Sequence, residues 1–347
     1  LLIFEPEFSS IRWALVESYH YEEGVFNGAA ARIDEIQEQI EAAGEFAYVL
    51  PHGGSLFRQP AVRLVPQLLR EIERTIPYYP EANQAIYKLA AAVMEERPDA
   101  GHALLCETAP FTAMPDPACR YALSGNLSGR EIRRYGGDGL CHLWLTARVA
   151  RHLQQSQART VSIHLGNQSS MAAFTGASAR ETSMGFTPVD GIPSTSTCGS
   201  IDPSIPLLLS ADGQSTAEIR RLLTHDSGLS AVVGQPVTYE ELLQDSRPAA
   251  VTARKMLSNA LLKAIGEAMA ALAGLDVLAF ACQDVSRSLA FIQEITRPLE
   301  FLSIAWLESP EESDGVWQLS QPKSSVTVLA FQYDRYQTLA ALAASVF

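Results

Sequence analysis

A helical pattern that begins near Thr252 stops at Gly274 and runs at once into the apolar strand LDVLAFAC, and this junction constrains the fold more than any other stretch. Met256, Leu257, Ala260, Leu261, Ala264, Ile265, Ala268 and Leu272 recur at helical spacing and are expected to face inward. Thr252 reads as the N-cap and Gly274 as the stop. Upstream, RTVSIHLGN alternates Val161, Ile163 and Leu165 against polar neighbours, and MAAFTGASARETSMG reads as a following hairpin that turns near Gly176. LLIF and IRWALVES read as strands around the turn-like EPEFSS. ARIDEIQEQIEAAG places Ile33, Ile36 and Ile40 on one helical face and stops at Gly44. FAYVL is a short strand ending at Pro51-His52-Gly53-Gly54, where glycines allow a tight turn. Strand pairs followed by helix–strand alternation indicate an α/β protein with mixed sheets.

The chain has 347 residues, enough for one large domain or two medium ones, each with its own core. Its formal net charge of −13 argues against non-specific nucleic-acid binding, which needs a basic face. Lysine occurs only at Lys88, Lys255, Lys263 and Lys323, so local positive charge is mostly arginine. Cys106, Cys119, Cys141, Cys198 and Cys282 are odd in number and widely spaced, with no CxxC pair, and read as buried structural thiols. No apolar run reaches the roughly 18 residues that span a bilayer. LLIFEPEF carries two acids and no basic stretch, unlike a signal peptide. A cytoplasmic protein is expected; the chain starts without methionine, so a trimmed start stays open.

Residues 164–192, HLGNQSSMAAFTGASARETSMGFTPVDGI, with Gly199-Ser200-Ile201-Asp202-Pro203 after them, resemble the second phosphate-binding hairpin of the acetate and propionate kinase family and its TSMG-x-TP segment. Further pieces follow in the family's order: His52-Gly53-Gly54, ETAPFTAMP at 107–115, Arg133-Arg134-Tyr135-Gly136, Asp226-Ser227-Gly228-Leu229-Ser230 and GLDVLAF at 274–280. The resemblance implies a two-domain actin-like fold, with ribonuclease-H-like cores whose mixed sheets face each other across a cleft. It implies a first domain of residues 1–109 with the C-terminal helix 335–347, and a second of residues 110–334 that carries the nucleotide side and a homodimer interface.

Phosphoryl transfer between a carboxylate and a nucleotide is mostly positioning and stabilisation of negative charge. By resemblance, Glu107, Asp138 and Thr197 stand where the family has a metal-linked Asp, a phosphate-contacting His and a catalytic Arg. Ser10, Arg12, His52, Gly53, Gly54, Asn83, His164, Gly166 and Asn167 match its substrate and phosphate positions, and Glu107 and Asp334 its metal positions. Mg2+ and ATP would be the cofactors of an active member, with a short-chain carboxylate or acyl phosphate as substrate. Several positions depart from the family. Aligning on Ser9 and Ser10, Glu5 and Glu7 replace Asn and Gly in the first phosphate loop, and Arg12 replaces Lys. Val49 and Ala82 stand for an Arg and a His, Gln168 for a Gly, and Gln283-Asp284-Val285-Ser286-Arg287-Ser288 for the glycine-bearing nucleotide loop.

The retained residues also have plainer readings. His52 fits a strand-end turn, His164 a hydrogen-bonded structural histidine, and Asn167 a Gly-Asn turn. Asp202 fits a helix entry, and Arg133 and Arg134 surface pairs with acids. Three functions follow. The first is a catalytically impaired homologue that binds a protein partner or senses a ligand. The second is an active acetate or propionate kinase using Arg12, Arg133 or Arg134, with Glu107 and Asp334 on magnesium. The third is an acyl-phosphate hydrolase with Asp138 as base. Loss of positive charge at one site favours the first.

Overall fold

Alternating side chains build the first sheet. Leu2, Phe4, Phe46 and Tyr48 pack on one face, and Ile3, Ala47 and Val49 on the other, as the two-residue period of a strand requires. The computed structural model describes residues 1–7, 10–18, 20–27, 33–123 and 131–347. They form two compact units: Leu1–Thr112 with Gly137–Cys141 and Asp334–Phe347, and Ala113–Gly136 with His142–Tyr333. The short Gly137–Cys141 segment belongs to the first unit, while the chain on both sides of it belongs to the second.

In the first unit the strands are β1 (Leu2–Pro6), β2 (Ser10–Glu17), β3 (His20–Asn27), β4 (Glu45–Leu50), β5 (Ala61–Arg63) and β6 (Gly101–Cys106), in the order β3-β2-β1-β4-β6-β5. β1, β2 and β3 form an antiparallel meander, and β4 and β6 continue parallel to β1. The helix Pro80–Glu96 covers one face through Ile86, Leu89 and Val93. The helix Arg335–Ala344 covers the other through Tyr336, Leu339 and Ala343.

The second unit uses β7 (Arg159–Leu165), β8 (Ser170–Thr175), β9 (Ser178–Thr182), β10 (Val277–Cys282), β11 (Glu312–Ser313), β12 (Val316–Gln318) and β13 (Thr327–Gln332), in the order β11-β12-β13-β10-β7-β8-β9. β9-β8-β7-β10-β13 repeats the sense of β3-β2-β1-β4-β6: a three-stranded antiparallel meander, then two strands parallel to its first. The two units thus share one topology over five strands each. The repetition puts the β1–β2 turn and the β7–β8 turn at corresponding places.

The long helix starts earlier than its pattern suggests, at Pro248, and ends at Ala271. Pro248 at its first position needs no N–H partner. Thr252 is therefore not the N-cap; it lies one turn inside, and its hydroxyl donates to Pro248 O at 2.9 Å. Leu257, Leu261, Ile265 and Ala268 are buried with Val161, Ile163 and Phe280, as the pattern requires. Met256 is 44% exposed and does not face inward, because the buried stripe is narrower than the apolar one. The expected helix before Gly44 is a 3-10 turn, Ile33–Ile36, leading into Gln37–Ala42, with Ile36 and Ile40 buried; its expected start before Ile33 lies outside the described residues. Among the described residues no helix is long and apolar enough to cross a membrane. The five cysteines are free; four are buried and Cys198 is half-buried.

Candidate functional site

The helix Arg335–Ala344 lies on the face of the first sheet that carries Ile3 and Leu105. By strand parity Glu5 follows Ile3 onto that face, and Glu107, just past β6, follows Leu105. Arg335, at the start of the helix, meets both acids. Its Nε donates to Glu5 Oε1 and Oε2 at 2.7 and 2.9 Å, and its Nη2 donates to Glu5 Oε1 and, at 2.8 Å, to Glu107 Oε1. Glu107 Oε2 accepts from Leu140 N at 3.1 Å. Each of the four carboxylate oxygens therefore accepts from a protein donor. Burial pushes the Glu107 carboxyl above the ordinary glutamate range; Arg335 pulls it back, and the negative charge of Asp138 adds to the rise. Asp138 sits in the left-handed region at φ 52°, which aspartate tolerates better than most side chains.

The β1–β2 turn closes on itself. Glu7 accepts from Ser10 Oγ at 2.9 Å and from Arg12 Nη2 at 2.5 Å. Burial alone would raise the Glu7 carboxyl, but the bonds from Arg12 and Ser10 outweigh it and leave it below the usual range. The expected phosphate groups Ser10 and Arg12 are thus engaged by an acid of the same turn. Ser9 lies outside the described residues.

His52 is buried, accepts Gly54 N at Nδ1 (3.1 Å) and stacks on Tyr78 at 5.1 Å. Gly54 has φ 58°, a conformation glycine adopts without strain. Gly53 has no room for a side chain, since a Cβ would overlap Cys106 Sγ. Buried Asn83 donates to His52 O at 2.8 Å and to Thr75 O at 3.0 Å, so it ties this loop to the helix Pro80–Glu96. Val49 is buried in the apolar layer under the helix Arg335–Ala344, and Ala82 is buried in the first turn of Pro80–Glu96. Asp334 caps the helix Arg335–Ala344, its Oδ1 accepting from Gln337 N at 3.0 Å.

In the second unit, His164 is half-buried and meets the edge of Tyr333 at 5.6 Å. Gly166 begins the β7–β8 turn, which Ser169 closes by donating to Gly166 O at 3.1 Å. Asn167 Oδ1 accepts from Tyr239 N at 2.8 Å, and Gln168 Nε2 donates to Pro188 O at 3.2 Å. The Thr197 hydroxyl meets Ser194 Oγ at 2.7 Å within its own turn. Asp284 caps the helix Val285–Thr296, accepting from Arg287 N at 3.1 Å. A carboxylate therefore sits at the helix N-terminus where a phosphate would gain most from the amides. Arg134 pairs with buried Glu181 at 2.6 Å, and Arg133 lies over the Tyr135 ring at 5.8 Å.

Arg335 is not among the expected site residues, yet the structure makes it the centre of the acidic cluster. A signal is present all the same: a cationic residue directly after an N-cap aspartate, opening an apolar helix. His142 is also absent from the expected site residues; it is buried between Ser162 Oγ at 2.8 Å and Ser170 Oγ at 3.0 Å, where it joins β7 to β8.

The sequence model described as the Acetokinase family matches residues 16–340. Among curated proteins, an acetate kinase of Porphyromonas gingivalis is 29% identical over 312 residues, 87% of this chain and 77% of that protein. An acetate kinase of Micrococcus luteus is 30% identical over 316 residues, covering 87% and 80%. The crystal structure of Porphyromonas gingivalis acetate kinase aligns with TM-score 0.84 at 24% identity, covering 99% of this chain and 98% of that one. A propionate kinase from Francisella tularensis aligns with TM-score 0.83 at 22% identity, covering 100% and 99%. At these identities the structural likeness speaks for the fold, the actin-like α/β architecture of two mixed sheets.

Proposed function

The chain belongs to the acetokinase family, and on that premise we propose that its reaction class is phosphoryl transfer between a nucleoside triphosphate and a short-chain carboxylate. The family match over residues 16–340 carries this reading, together with relatives named acetate kinase that span most of the chain. ATP and Mg2+ are the proposed cofactors. The proposed ligand-facing groups are His52, Gly53 and Gly54 in one unit and His164, Gly166 and Asn167 in the other. A hydroxamate-trapping assay with Mg-ATP and acetate, propionate or butyrate tests it. Steady acyl hydroxamate that requires both the carboxylate and Mg-ATP is the expected outcome.

One observation favours a second reading, in which transfer is lost and the protein serves as a partner subunit or ligand sensor. Glu5, Glu107 and Arg335 form a closed ion cluster, and Thr197 and Asp138 add no positive charge for a moving phosphate. Absence of hydroxamate, with no upward shift in Tm at millimolar Mg-ATP, selects this reading, because a ligand bound only by the folded state stabilises it.

A homodimer is part of the proposal. The helix Ser204–Ala211 has no buried residue, and Ile205, Leu207 and Leu208 are exposed, with Leu207 at 71%. Apolar area of this kind on one short helix supports an interface. Leu207→Glu with Leu208→Glu is expected to convert a dimer to a monomer in sedimentation velocity, with the circular dichroism spectrum unchanged.

A further inference from the structure

The magnesium ion that the family implies needs free carboxylate oxygens at about 2.0–2.1 Å in near-octahedral array. The residues here do not fit it. Glu5 gives both oxygens to Arg335, and Glu107 divides its two between Arg335 and Leu140 N. Asp334 is turned to Gln337 N as a helix cap. Among the described residues no three His, Cys, Asp or Glu side chains converge as a metal site.

We infer that Arg335 is a built-in cation that takes the place of a divalent metal between Glu5 and Glu107, so that this acidic pair is closed to metal ions in the native chain. Two features carry the inference. The guanidinium is bidentate toward Glu5 and reaches Glu107 from the same Nη2, the geometry in which arginine binds carboxylates most firmly. It is tethered at the first residue of a helix whose Tyr336, Leu339 and Ala343 are anchored in the core, so it cannot drift away as a solvated ion can. The inference holds under either reading of the function, because it concerns what occupies the carboxylates and not what reaction follows.

The experiment is a Mn2+ titration of the full chain, followed by the electron paramagnetic resonance signal of free Mn2+. The wild type is compared with Glu107→Gln, with Arg335→Glu and with the double variant Arg335→Glu/Glu107→Gln, each first checked for folding by circular dichroism. The wild type and Glu107→Gln should bind the same amount of Mn2+. Arg335→Glu should bind one ion more, because three carboxylates then share the place of two and a guanidinium, and adding Glu107→Gln should remove it. Loss of a bound ion on going from wild type to Glu107→Gln overturns the inference. So does a folded Arg335→Glu protein that gains none. The first comparison leaves Arg335 in place, so it decides the question even where Arg335→Glu does not fold. Because the readout is metal bound and not product formed, an inactive protein does not count against it.

Discussion

Replacing Arg335 with alanine is expected to lower the free energy of unfolding by about 3 kcal/mol, measured by urea denaturation near pH 7. The loss comes less from the missing attraction than from what remains. Glu107 is buried at 6% exposure and already carries a carboxyl raised by burial, and Glu5 is only partly exposed beside it. Without the guanidinium, Glu107 keeps the Leu140 N–H as donor while Glu5 adds a like charge nearby. The size is set toward the low end for a buried ion pair because the Arg335 side chain keeps 25% of its exposure, which lets water screen part of the charge. Adding Glu5→Gln to Arg335→Ala should restore about 1 kcal/mol, since coupled groups do not add independently. A loss below 1 kcal/mol in the single variant would mean that the acids find water or new partners, and that the cluster does not hold the helix to the sheet.

Gly139→Ala is expected to cost about 3 kcal/mol, at the upper end for overpacking. Gly139 opens the helix Gly139–Leu153, and its N–H donates to Glu107 O at 3.1 Å. A Cβ at this position would overlap Glu107 O and would stand 2.9 Å from Pro110 Cδ. Neither neighbour is the end of a flexible side chain, so the backbone that carries Glu107 must move. Gly266→Ala is the control. It lies inside the helix Pro248–Ala271 with nothing within 4 Å of a new Cβ, and should stabilise the protein by about 0.5–1 kcal/mol through helix propensity. Opposite signs for the same chemical change, read as Tm shifts, would separate close backbone approach from the general effect of removing a glycine. A Gly139→Ala protein as stable as the wild type would show that Glu107 is not held by that contact.

Much of the first sheet is legible in the sequence because burial on both faces leaves short continuous apolar runs, Leu2-Ile3-Phe4 and Phe46-Ala47-Tyr48-Val49. The motif residues lie where they are expected along the chain, yet what their side chains do is not legible. Ser10 and Arg12 match phosphate positions but are held by Glu7. Asn83 matches a ligand contact but ties His52 to Thr75. Thr252 reads as a cap because a Thr before an apolar run is a common helix start, but Pro248 begins the helix one turn earlier. For Ser10, Arg12 and Asn83 a nearby partner takes a group whose chemistry could have served a ligand.

Local pattern, by itself, determined the strands, the long helix, the α/β class and the family to which the chain belongs, because those depend on neighbours within a few residues and on ordered motifs. Only the tertiary structure decided that Glu5, Glu107 and Arg335 form one cluster. Arg335 is 330 positions from Glu5 and 228 from Glu107, and no spacing rule reaches that far. The three meet because strand parity turns both acids to one face of a sheet and the C-terminal helix packs its apolar side onto that same face.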